Sequence, residues 1–469
     1  MNIRRIGLIV GLAGFAATVL LPAPGGMPDQ AWIVAGLVIL MAAWWMSEAI
    51  PLTATALLPF LVLPFAGVMT AKDTATAYYS PILFLILGGA FIAIAIERTG
   101  LHRRLALVIL DRVGTGGGSS RLLLAFMITA AILSMAISNT SSALIMMPMA
   151  LAVLAGCGLA PEDREGLAGA LPIGIAFAAS IGGIGTIVGS PTNAIAVGLV
   201  DTILGVRISF AQWSAFGLPV VLMGIPLAAL IISRFQKLTN HPVDISAARK
   251  AVSIETGLTK PEKRLVPLVL ITFLLWMFSP LIAPYVPEGS LTDGTIAIAA
   301  GLALFLLPDG TGRPMLIWKE ADNAPWGVIM MFGGGLALAA GMGASGLAGW
   351  LGNSLLPLAS VPLPLVALAI VAMVIIVTEF ASNVATASAI IPVVASLIAA
   401  LGVDPLMLAM PAAIAASWGF MLPAGTGPNA IAWSTGRIQL SRMVGAGLVL
   451  DISGGFLIVG AVWAVAALF

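Results

Sequence analysis

Two short polar segments interrupt apolar stretches of this chain, and their residue types could bind ions. They read Ser138-Asn139-Thr140 and Ser382-Asn383-Val384, and each asparagine has a further hydroxyl five residues earlier, at Ser134 and at Thr378. Hydroxyl and amide oxygens are ligands that hard cations accept, and amide and hydroxyl hydrogens can be donated to an anion. The repeated spacing therefore indicates a site where sodium and an anion bind side by side.

Each polar segment is followed by a second interruption that combines glycine, proline and asparagine. These read GSPTNAIA from Gly189 to Ala196 and GTGPNAIA from Gly425 to Ala432. One Ser-Asn segment in a membrane helix is usually a helix-packing hydrogen bond, but two copies, each paired with such a break, are not explained in this way. Backbone polar groups must be satisfied at membrane depth, so two pairs of broken helices predict a protein-lined site typical of secondary transporters.

The four interruptions also predict the charge of the substrate. The second arm of each hairpin and the second half of each broken span begin there, so four helix amino termini would converge with unpaired amide donors and partial positive charge. We therefore expect an anionic substrate. No lysine or arginine lies inside the four interrupted segments, and a small dianion is costly to desolvate without compensating charge. Bound sodium ions could supply that charge.

Composition places the chain in the membrane. Of its 469 residues, 60% are hydrophobic and 9% are charged, and the mean hydropathy is +1.10, values typical of a polytopic helical membrane protein. We expect no nucleic-acid partner, because the basic residues are confined to a few loops. Cys157 is the single cysteine, and His102 and His241 fall in polar connections. This excludes disulfides and a His/Cys metal cluster, and no nucleophile/base pair indicates an enzyme.

The predicted fold is all-α, with eleven transmembrane helices and two re-entrant hairpins. Residues 1–30 hold the first transmembrane helix, which we interpret as an uncleaved span rather than a signal peptide. The hairpins cover residues 122–156 and 362–400, and arms of about 15 residues in the first are short for a crossing that needs about 20. The predicted spans cover residues 6–22, 31–47, 50–68, 80–98, 166–200, 213–233, 265–284, 293–307, 324–343, 407–436 and 444–468.

The distribution of basic residues predicts the orientation. If the amino terminus is cytoplasmic and both hairpins return to the side they entered, every lysine and arginine except Lys72 and Arg207 is cytoplasmic, as the positive-inside rule requires. We expect a multi-pass protein of the cell inner (plasma) membrane, surrounded by the lipid bilayer, with the carboxyl terminus outside.

The order of spans also predicts an inverted repeat. Residues 31–235 and residues 265–469 each contain five spans and one hairpin, and the broken spans lie at 166–200 and 407–436. A basic cytoplasmic connection, residues 236–264, joins the two copies. Matching glycine-rich segments support the repeat, GGAFIAIAIERTGL from Gly88 to Leu101 and GGGLALAAGMGASGL from Gly333 to Leu347.

Together these segments resemble the divalent anion/sodium symporter family, the INDY-like carboxylate and sulfate carriers. The resemblance rests on the two Ser-Asn segments, the two G-(S/T)-x-x-N breaks and SEAIPLTATALLP from Ser47 to Pro59, and it covers nearly the whole chain. It implies a homodimer in which a transport domain, containing the hairpins and broken spans, moves as an elevator. It implies substrates such as succinate, fumarate, malate, citrate or sulfate, coupled to two or more sodium ions.

The resemblance also implies roles for residues that match the family's motifs. One sodium site would use Ser134, Ser138, Asn139 and the backbone of Gly189. The other would use Thr378, Ala381, Asn383 and the backbone of Gly425. The anion would lie against Ser138, Asn139, Thr140, Ser382, Asn383 and Thr426, next to Val384 and Gly427.

Two of these positions depart from the usual family pattern. Val384 stands where many bacterial relatives have threonine, which removes a hydroxyl from the substrate cavity. Gly427 stands in a break that commonly reads Thr-Pro-Pro-Asn and gives that break more backbone freedom. The Val384 departure bears on substrate choice rather than on transport itself, because valine also occurs there in family members that carry di- and tricarboxylates.

Acidic residues within apolar segments leave two interpretations open. Glu379 lies three residues before Ser382 and could carry a proton or tune the neighbouring sodium site, or it could accept hydrogen bonds from backbone amides. Met135 occupies the equivalent position in the first hairpin. Glu48 and Asp451 are expected to be packing or interface groups.

The favoured function is sodium-coupled symport of a divalent anion, chosen from the C4-dicarboxylates such as succinate, malate or fumarate. An exchanger or a proton-coupled carrier of citrate or sulfate on the same fold remains an alternative. A channel is disfavoured, because paired hairpins that close on one site suit alternating access better than a continuous pore.

Overall fold

The computed structural model describes residues 3–114, 118–240 and 257–468. Most of the basic connection predicted at 236–264, including His241, Arg249 and Lys250, lies outside the described residues. Within the described ranges the secondary structure is helical, apart from an isolated antiparallel bridge between Pro308 and Pro314. The all-α prediction is confirmed.

The helices follow the predicted order in both halves. In the first half they span Ile3–Leu20, Asp29–Ser47, Leu52–Thr55, Leu58–Phe65, Ala71–Ala77, Ile82–Thr99, Leu101–Gly114, Ser119–Ser134, Asn139–Gly156, Leu167–Gly183, Pro191–Leu204 and Phe210–Phe235. In the second half they span Lys260–Ile282, Asp293–Leu306, Trp318–Ala321, Trp326–Ala344, Leu347–Leu355, Leu363–Phe380, Asn383–Leu401, Pro405–Ala415, Gly427–Ser434 and Leu440–Ala466. Among the described residues, ten helices are long and apolar enough to cross a membrane.

We name four parts of the chain that carry the site. Hairpin 1 consists of Ser119–Ser134 and Asn139–Gly156, and hairpin 2 consists of Leu363–Phe380 and Asn383–Leu401. Broken span 1 consists of Leu167–Gly183 and Pro191–Leu204. Broken span 2 consists of Pro405–Ala415 and Gly427–Ser434.

The hairpin arms are longer than the sequence suggests. The arms of hairpin 1 have 16 and 18 residues, and those of hairpin 2 have 18 and 19. Each second arm begins at its asparagine and includes a polar first turn, which a search for apolar windows leaves out. The expectation that the arms of hairpin 1 are too short to cross is therefore wrong for Asn139–Gly156. Both arms of hairpin 2, Leu363–Phe380 and Asn383–Leu401, are also long and apolar enough to cross.

The predicted span 50–68 is also wrong as a single helix. It consists of two short helices, Leu52–Thr55 and Leu58–Phe65, and Pro59 lies at the start of the second. Proline has no amide hydrogen and disfavours helical geometry in the residue before it, so the helix breaks there. Asp293–Leu306, predicted as a full span, has only 14 residues.

Close backbone contacts recur in the two halves. A Cβ at Gly88 would overlap the backbone of Ala297, and a Cβ at Gly334 would overlap the carbonyl of Ala56. Only glycine permits such approaches. Each glycine-rich helix therefore packs tightly on one of the two short spans of the opposite half.

Other paired features recur in the two halves, and the glycine pairs share one register. Gly100 and Gly346 both have positive φ, 79° and 82°, and each lies 12 residues after its close-packed glycine, Gly88 or Gly334. The indole of Trp45 donates to the carbonyl of Leu52 at 3.1 Å. The indole of Trp276 donates to the carbonyl of Asp293 at 3.0 Å. These repeated contacts are what an internal repeat predicts.

The core of the molecule surrounds broken span 1. Every residue of Leu167–Gly183 is buried, and a Cβ at Gly182 would overlap the backbone of Ala131 in hairpin 1. The Trp213 indole, which is fully buried, donates to the carbonyl of Ile184 at 2.8 Å. The region where the span breaks is thus held by packing on one side and by a hydrogen bond on the other.

Candidate functional site

The serine of each polar segment caps the second arm of its hairpin. Ser138 Oγ accepts a hydrogen bond from the amide of Ser141 at 3.1 Å, and Ser382 Oγ accepts one from the amide of Ala385 at 3.2 Å. A capping hydroxyl satisfies one of the free amides of a helix amino terminus and leaves others available. Serine at these positions therefore caps the helix and leaves amides of its first turn free to meet an ion.

Both broken spans resume as helices at their predicted breaks. Pro191–Leu204 begins after Ser190, and Gly427–Ser434 begins after Thr426, whose hydroxyl accepts from the amide of Asn429 at 3.2 Å. The structure thus has a helix amino terminus at each of the four interruptions.

Oxygen atoms from three segments cluster at the tip of hairpin 1. Ser134 Oγ donates to Asn139 Oδ1 at 2.6 Å, and the same end of the Asn139 amide lies 3.2 Å from the carbonyl oxygens of both Ala179 and Gly189. With a cation bound among these acceptors, the oxygen of the Asn139 amide would point towards it. In the rotated orientation, the NH₂ of the amide would instead donate to the same acceptors. The neutral, all-oxygen donor set fits sodium.

Glycine makes this cluster possible. A Cβ at Gly183 would overlap Asn139 Oδ1, and a Cβ at Gly189 would lie 2.6 Å from the carbonyl oxygen of Gly183. The backbone of broken span 1 can therefore reach the hairpin tip only without side chains at these two positions.

Hairpin 2 repeats the hydroxyl-to-amide contact. Thr378 Oγ1 lies 2.9 Å from Asn383 Oδ1 and donates to the carbonyl of Ala416, in broken span 2, at 2.8 Å. Ala381, between the two helices of hairpin 2, has extended backbone and is buried. A Cβ at Gly425 would lie 3.3 Å from the carbonyl oxygen of Glu379, so the predicted backbone ligand also approaches this hairpin.

Two buried asparagines, whose roles the sequence motif did not specify, hold the breaks. Asn193 Nδ2 donates to the carbonyls of Gly183 and Thr186 at 2.7 and 2.8 Å. Asn429 Nδ2 donates to the carbonyl of Leu422 at 3.1 Å. Each amide satisfies carbonyls that the interrupted helix leaves free, which explains why asparagine follows each Gly/Pro break.

Thr186 is a site residue that sequence reasoning missed. Its hydroxyl donates to the carbonyl of Met135 at 2.6 Å and accepts from the amide of Gly189 at 3.0 Å, so it ties broken span 1 to hairpin 1. The available signal was a hydroxyl among glycines inside a buried apolar run. The partner carbonyls of Ala179 and Ala416 carry no sequence signal.

Glu379 acts as an acceptor for backbone amides. Its two carboxylate oxygens accept from the amides of Met421 and Leu422 at 2.9 and 3.0 Å, and the side chain is buried. Asp451, also buried, lies beside it on the last helix. Of the two interpretations left open for Glu379, the structure supports the backbone acceptor.

The two halves meet where Thr140 faces Gly427. A Cβ at Gly427 would overlap Thr140 Oγ1, so the first turn of the second arm of hairpin 1 lies directly against the resumption of broken span 2. Thr140 and Gly427 are both exposed, which leaves the Thr140 hydroxyl accessible to a ligand.

A cavity of about 250 Å³ opens beside hairpin 1. It is lined by Ser138, Ser141 and Ser190 and extends to Glu97 and Asn323. Of the predicted anion ligands, Ser138 lines this cavity. The other predicted anion ligands do not line it, namely Asn139, Thr140, Ser382, Asn383, Val384, Thr426 and Gly427.

Two observations do not match the predicted anion site: the burial of the hairpin 2 residues and the position of a second, larger cavity. Ser382, Asn383 and Val384 are half-buried, and Val384 packs against the apolar core. A larger cavity, of about 700 Å³, lies elsewhere, lined by residues such as Asp201 and Asp293 and by none of the predicted ligands. Within the described ranges, no group of three or more His, Cys, Asp or Glu side chains could hold a metal ion.

Comparison with known proteins identifies the family to which this chain belongs. The family model described as the sodium:sulfate symporter transmembrane region matches residues 3–468. The chain belongs to this family. Its match covers both hairpins and both broken spans.

Relatives within the family carry specific names. The chain is 38% identical over 463 residues to the sodium-dependent dicarboxylate transporter SdcS of Staphylococcus saprophyticus, covering 96% of this chain and 89% of that protein. It is 37% identical over 469 residues to SdcS of Staphylococcus aureus strain USA300, covering 97% and 90%. A solved structure, the YdaH transporter of Alcanivorax borkumensis, is similar in fold, with a TM-score of 0.59 at 16% identity, covering 94% of this chain and 98% of the other.

Proposed function

We propose that this protein is a sodium-coupled symporter of a small divalent anion, specifically a C4-dicarboxylate such as succinate, malate or fumarate. The observation that carries the proposal is the repeated cluster of neutral oxygens at the two hairpin tips, Ser134 with Asn139 and Thr378 with Asn383. The SdcS relatives, which are named sodium-dependent dicarboxylate transporters, support the choice of ion and substrate.

In this proposal each hairpin tip holds one sodium ion. The first ion binds Ser134, Ser138, Asn139 and the backbone of Gly189, and the carbonyl of Ala179 joins this set because it lies at the same amide. The second ion binds Thr378, Ala381, Asn383 and the backbone of Gly425, together with the carbonyl of Ala416, to which Thr378 donates.

The anion binds at the exposed side of the same helix starts. Ser138, Thr140, Ser382 and Thr426 supply hydroxyls, and the amides of Asn139 and Asn383 supply donors, next to Val384 and Gly427. Helix amino termini favour negative charge, but no lysine or arginine lies inside the four interrupted segments. Each sodium ion therefore raises the affinity for the dianion, and by linkage the dianion raises the affinity for sodium by the same factor.

The proposed architecture follows from this site. The two inverted repeats, residues 31–235 and 265–469, each contribute a re-entrant hairpin and a broken span to a transport domain that moves as an elevator in a homodimer. The amino terminus is cytoplasmic and the carboxyl terminus is outside. Support comes from the glycine and tryptophan contacts that recur in both halves.

Uptake of labelled succinate into proteoliposomes tests the function. We expect accumulation with an inward sodium gradient and none without it, with unlabelled citrate and sulfate as competitors. Uptake only into vesicles preloaded with dicarboxylate would identify an exchanger instead. Uptake driven by a proton gradient without sodium would contradict sodium coupling.

A matched pair of variants tests the site. Asn139→Ala removes the amide that faces Ser134, whereas Asn353→Ala removes an exposed asparagine that lies outside both hairpins and both broken spans. We expect loss of uptake in the first variant and wild-type uptake in the second, at equal levels of folded protein.

A further inference from the structure

The cavity beside hairpin 1 follows one face of the helix Ile82–Thr99. Its lining includes Leu85, Gly89, Ala93 and Glu97, which recur every four residues. A Cβ at Gly89 would lie 3.1 Å from the Val188 side chain, so broken span 1 meets the helix at that level. Glu97 is eight residues further on, roughly 12 Å along the helix at 1.5 Å per residue.

Glu97 is the charged residue in the lining of this cavity. The neighbouring Arg98 is engaged by Asp309 at 2.7 Å, and no salt bridge to Glu97 is found in the part of the chain that the structure describes. A carboxylate therefore borders the path that a dianion would take between the helix starts and the end of the cavity near Asn323.

The equivalent position in the other half carries no charge. Gly88 and Gly334 make matching backbone contacts, and Gly100 and Gly346 share the left-handed conformation. In this register Glu97 corresponds to Gly343, where a Cβ would meet nothing within 4 Å. The two positions matched by this register therefore differ by one carboxylate.

We propose that Glu97 sets the affinity for the dianion on one side of the membrane by repelling it in the pathway that leads away from the site. This inference rests on the proposed function. The flanking residues Arg98, Arg103 and Arg104 assign that pathway to the cytoplasmic side by the positive-inside rule. The repeat-related position on the opposite side, Gly343, carries no charge and adds no such repulsion, so Glu97 promotes release after import.

The size of the effect follows from Coulomb's law. For a dianion at the level of Gly89, roughly 12 Å from Glu97, the single and double negative charges at an effective dielectric constant of about 40 repel enough to weaken binding about tenfold. Repulsion of this kind changes the half-saturation concentration on one side. It leaves the final accumulation ratio unchanged, because that ratio is set by the sodium gradient and the stoichiometry.

The test measures the succinate concentration that gives half-maximal transport on each side of the membrane. Influx and efflux are each measured in oriented proteoliposomes with no succinate on the opposite side. We expect Glu97→Gln to lower the cytoplasmic-side value about tenfold, while the external value and the final accumulation ratio stay at wild type. Glu97→Asp, which keeps the charge, should stay close to wild type.

Gly343→Glu is the mirrored variant, and the open space at this position accommodates its side chain. We expect it to raise the external half-saturation value and to leave the cytoplasmic value unchanged. It also protects the test against misfolding of the Glu97 variants, because it adds the charge rather than removing it.

The outcomes separate this inference from the proposed function. Wild-type protein that shows no sodium-dependent succinate transport would overturn the proposed function. Wild-type protein that transports, with sided values unchanged in both Glu97→Gln and Gly343→Glu, would overturn the role of Glu97 alone. An equal change on both sides in Glu97→Gln would also contradict it, because that would indicate a contact with the bound anion rather than repulsion in one pathway.

Discussion

Thr140 of hairpin 1 packs directly on Gly427 of broken span 2, and the space between them excludes a Cβ at the glycine. The two departures from the usual family pattern are thus not equivalent. Gly427 adapts the second break to the threonine of the first hairpin, whereas Val384 removes a hydroxyl from the second hairpin and turns towards the apolar core.

We first predict that Gly427→Ala impairs transport through Thr140. The added methyl group would overlap Thr140 Oγ1, which should displace the hydroxyl and raise the half-saturation for succinate. The same substitution should cost less in a Thr140→Ala background, with a coupling energy of about 1 kcal/mol or more. Additive effects of the two substitutions would show that the overlap does not matter.

The second prediction concerns the hairpin asparagines. Asn139→Ala and Asn383→Ala should each abolish uptake while the protein still folds, because each amide is proposed to hold both a cation and the anion. Ser134→Ala and Thr378→Val should be milder and raise the sodium half-saturation about tenfold, the equivalent of one lost contact to an ion. Sodium titrations of succinate uptake provide the measurement, and wild-type sodium dependence in either asparagine variant would remove that residue from the site.

The third prediction concerns the lack of space for a side chain at Gly183. Gly183→Ala would overlap Asn139 Oδ1, so we expect it to displace the amide and weaken sodium binding as strongly as Asn139→Ala does. Gly460→Ala is the matched control, since a Cβ at this position meets nothing within 4 Å. Equal sodium dependence in Gly183→Ala and Gly460→Ala would be evidence against a sodium site at the Asn139 amide.

The fourth prediction is that Glu379 stabilises the second break. Glu379→Met, which copies the residue of hairpin 1, removes the acceptors for the amides of Met421 and Leu422. Each buried amide left unsatisfied costs about 1–3 kcal/mol, so these two amides should exchange hydrogen faster in mass-spectrometric measurements. Glu288→Gln, at an exposed position, should leave their exchange unchanged.

The fifth prediction concerns pH and the ion pair between Arg98 and Asp309. Burial raises the pKa of Asp309, but hydrogen bonds from Thr311 and the charge of Arg98 outweigh it and hold the pKa below its usual value. A carboxylate with a lowered pKa stabilises the fold above its unfolded pKa of about 3.9, and this stability is lost as pH falls through the folded value.

Asp309→Asn should therefore lower the thermal midpoint at neutral pH, and the difference from wild type should shrink in acid. The side chain of Asp309 is 2% exposed and that of Arg98 is 19% exposed, so removing one partner leaves a charge that is largely withdrawn from water. A difference that is constant between pH 7 and pH 3 would contradict this assignment.

Local sequence predicted the helix starts at the four interruptions more accurately than it described the surrounding fold. The helix starts at Asn139, Asn383, Pro191 and Gly427 follow from residues with a direct local effect, namely capping hydroxyls, prolines and glycines. Such residues act within one turn of their own position. Their positions could therefore be predicted without knowing the tertiary structure.

The carbonyl partners could not be predicted in the same way. Ala179 and Ala416 contribute backbone oxygens that come from another helix, and every residue type has a carbonyl. Thr186 was likewise hidden among glycines. Arm length was misjudged because the polar first turn of each second arm, which begins at Asn139 or Asn383, is part of the helix.

The two 14-residue helical stretches, Leu52–Phe65 and Asp293–Leu306, have a consequence for the surrounding lipid. At 1.5 Å per residue a continuous helix of 14 residues extends roughly 21 Å, which is an upper bound for the broken first stretch, against a hydrocarbon core of about 30 Å. Phe60 and Phe65 on the first stretch are 48% and 88% exposed. Either the bilayer thins by several ångströms at this face or another subunit covers it, so the acyl-chain length of the host membrane should influence how readily the protein inserts and assembles.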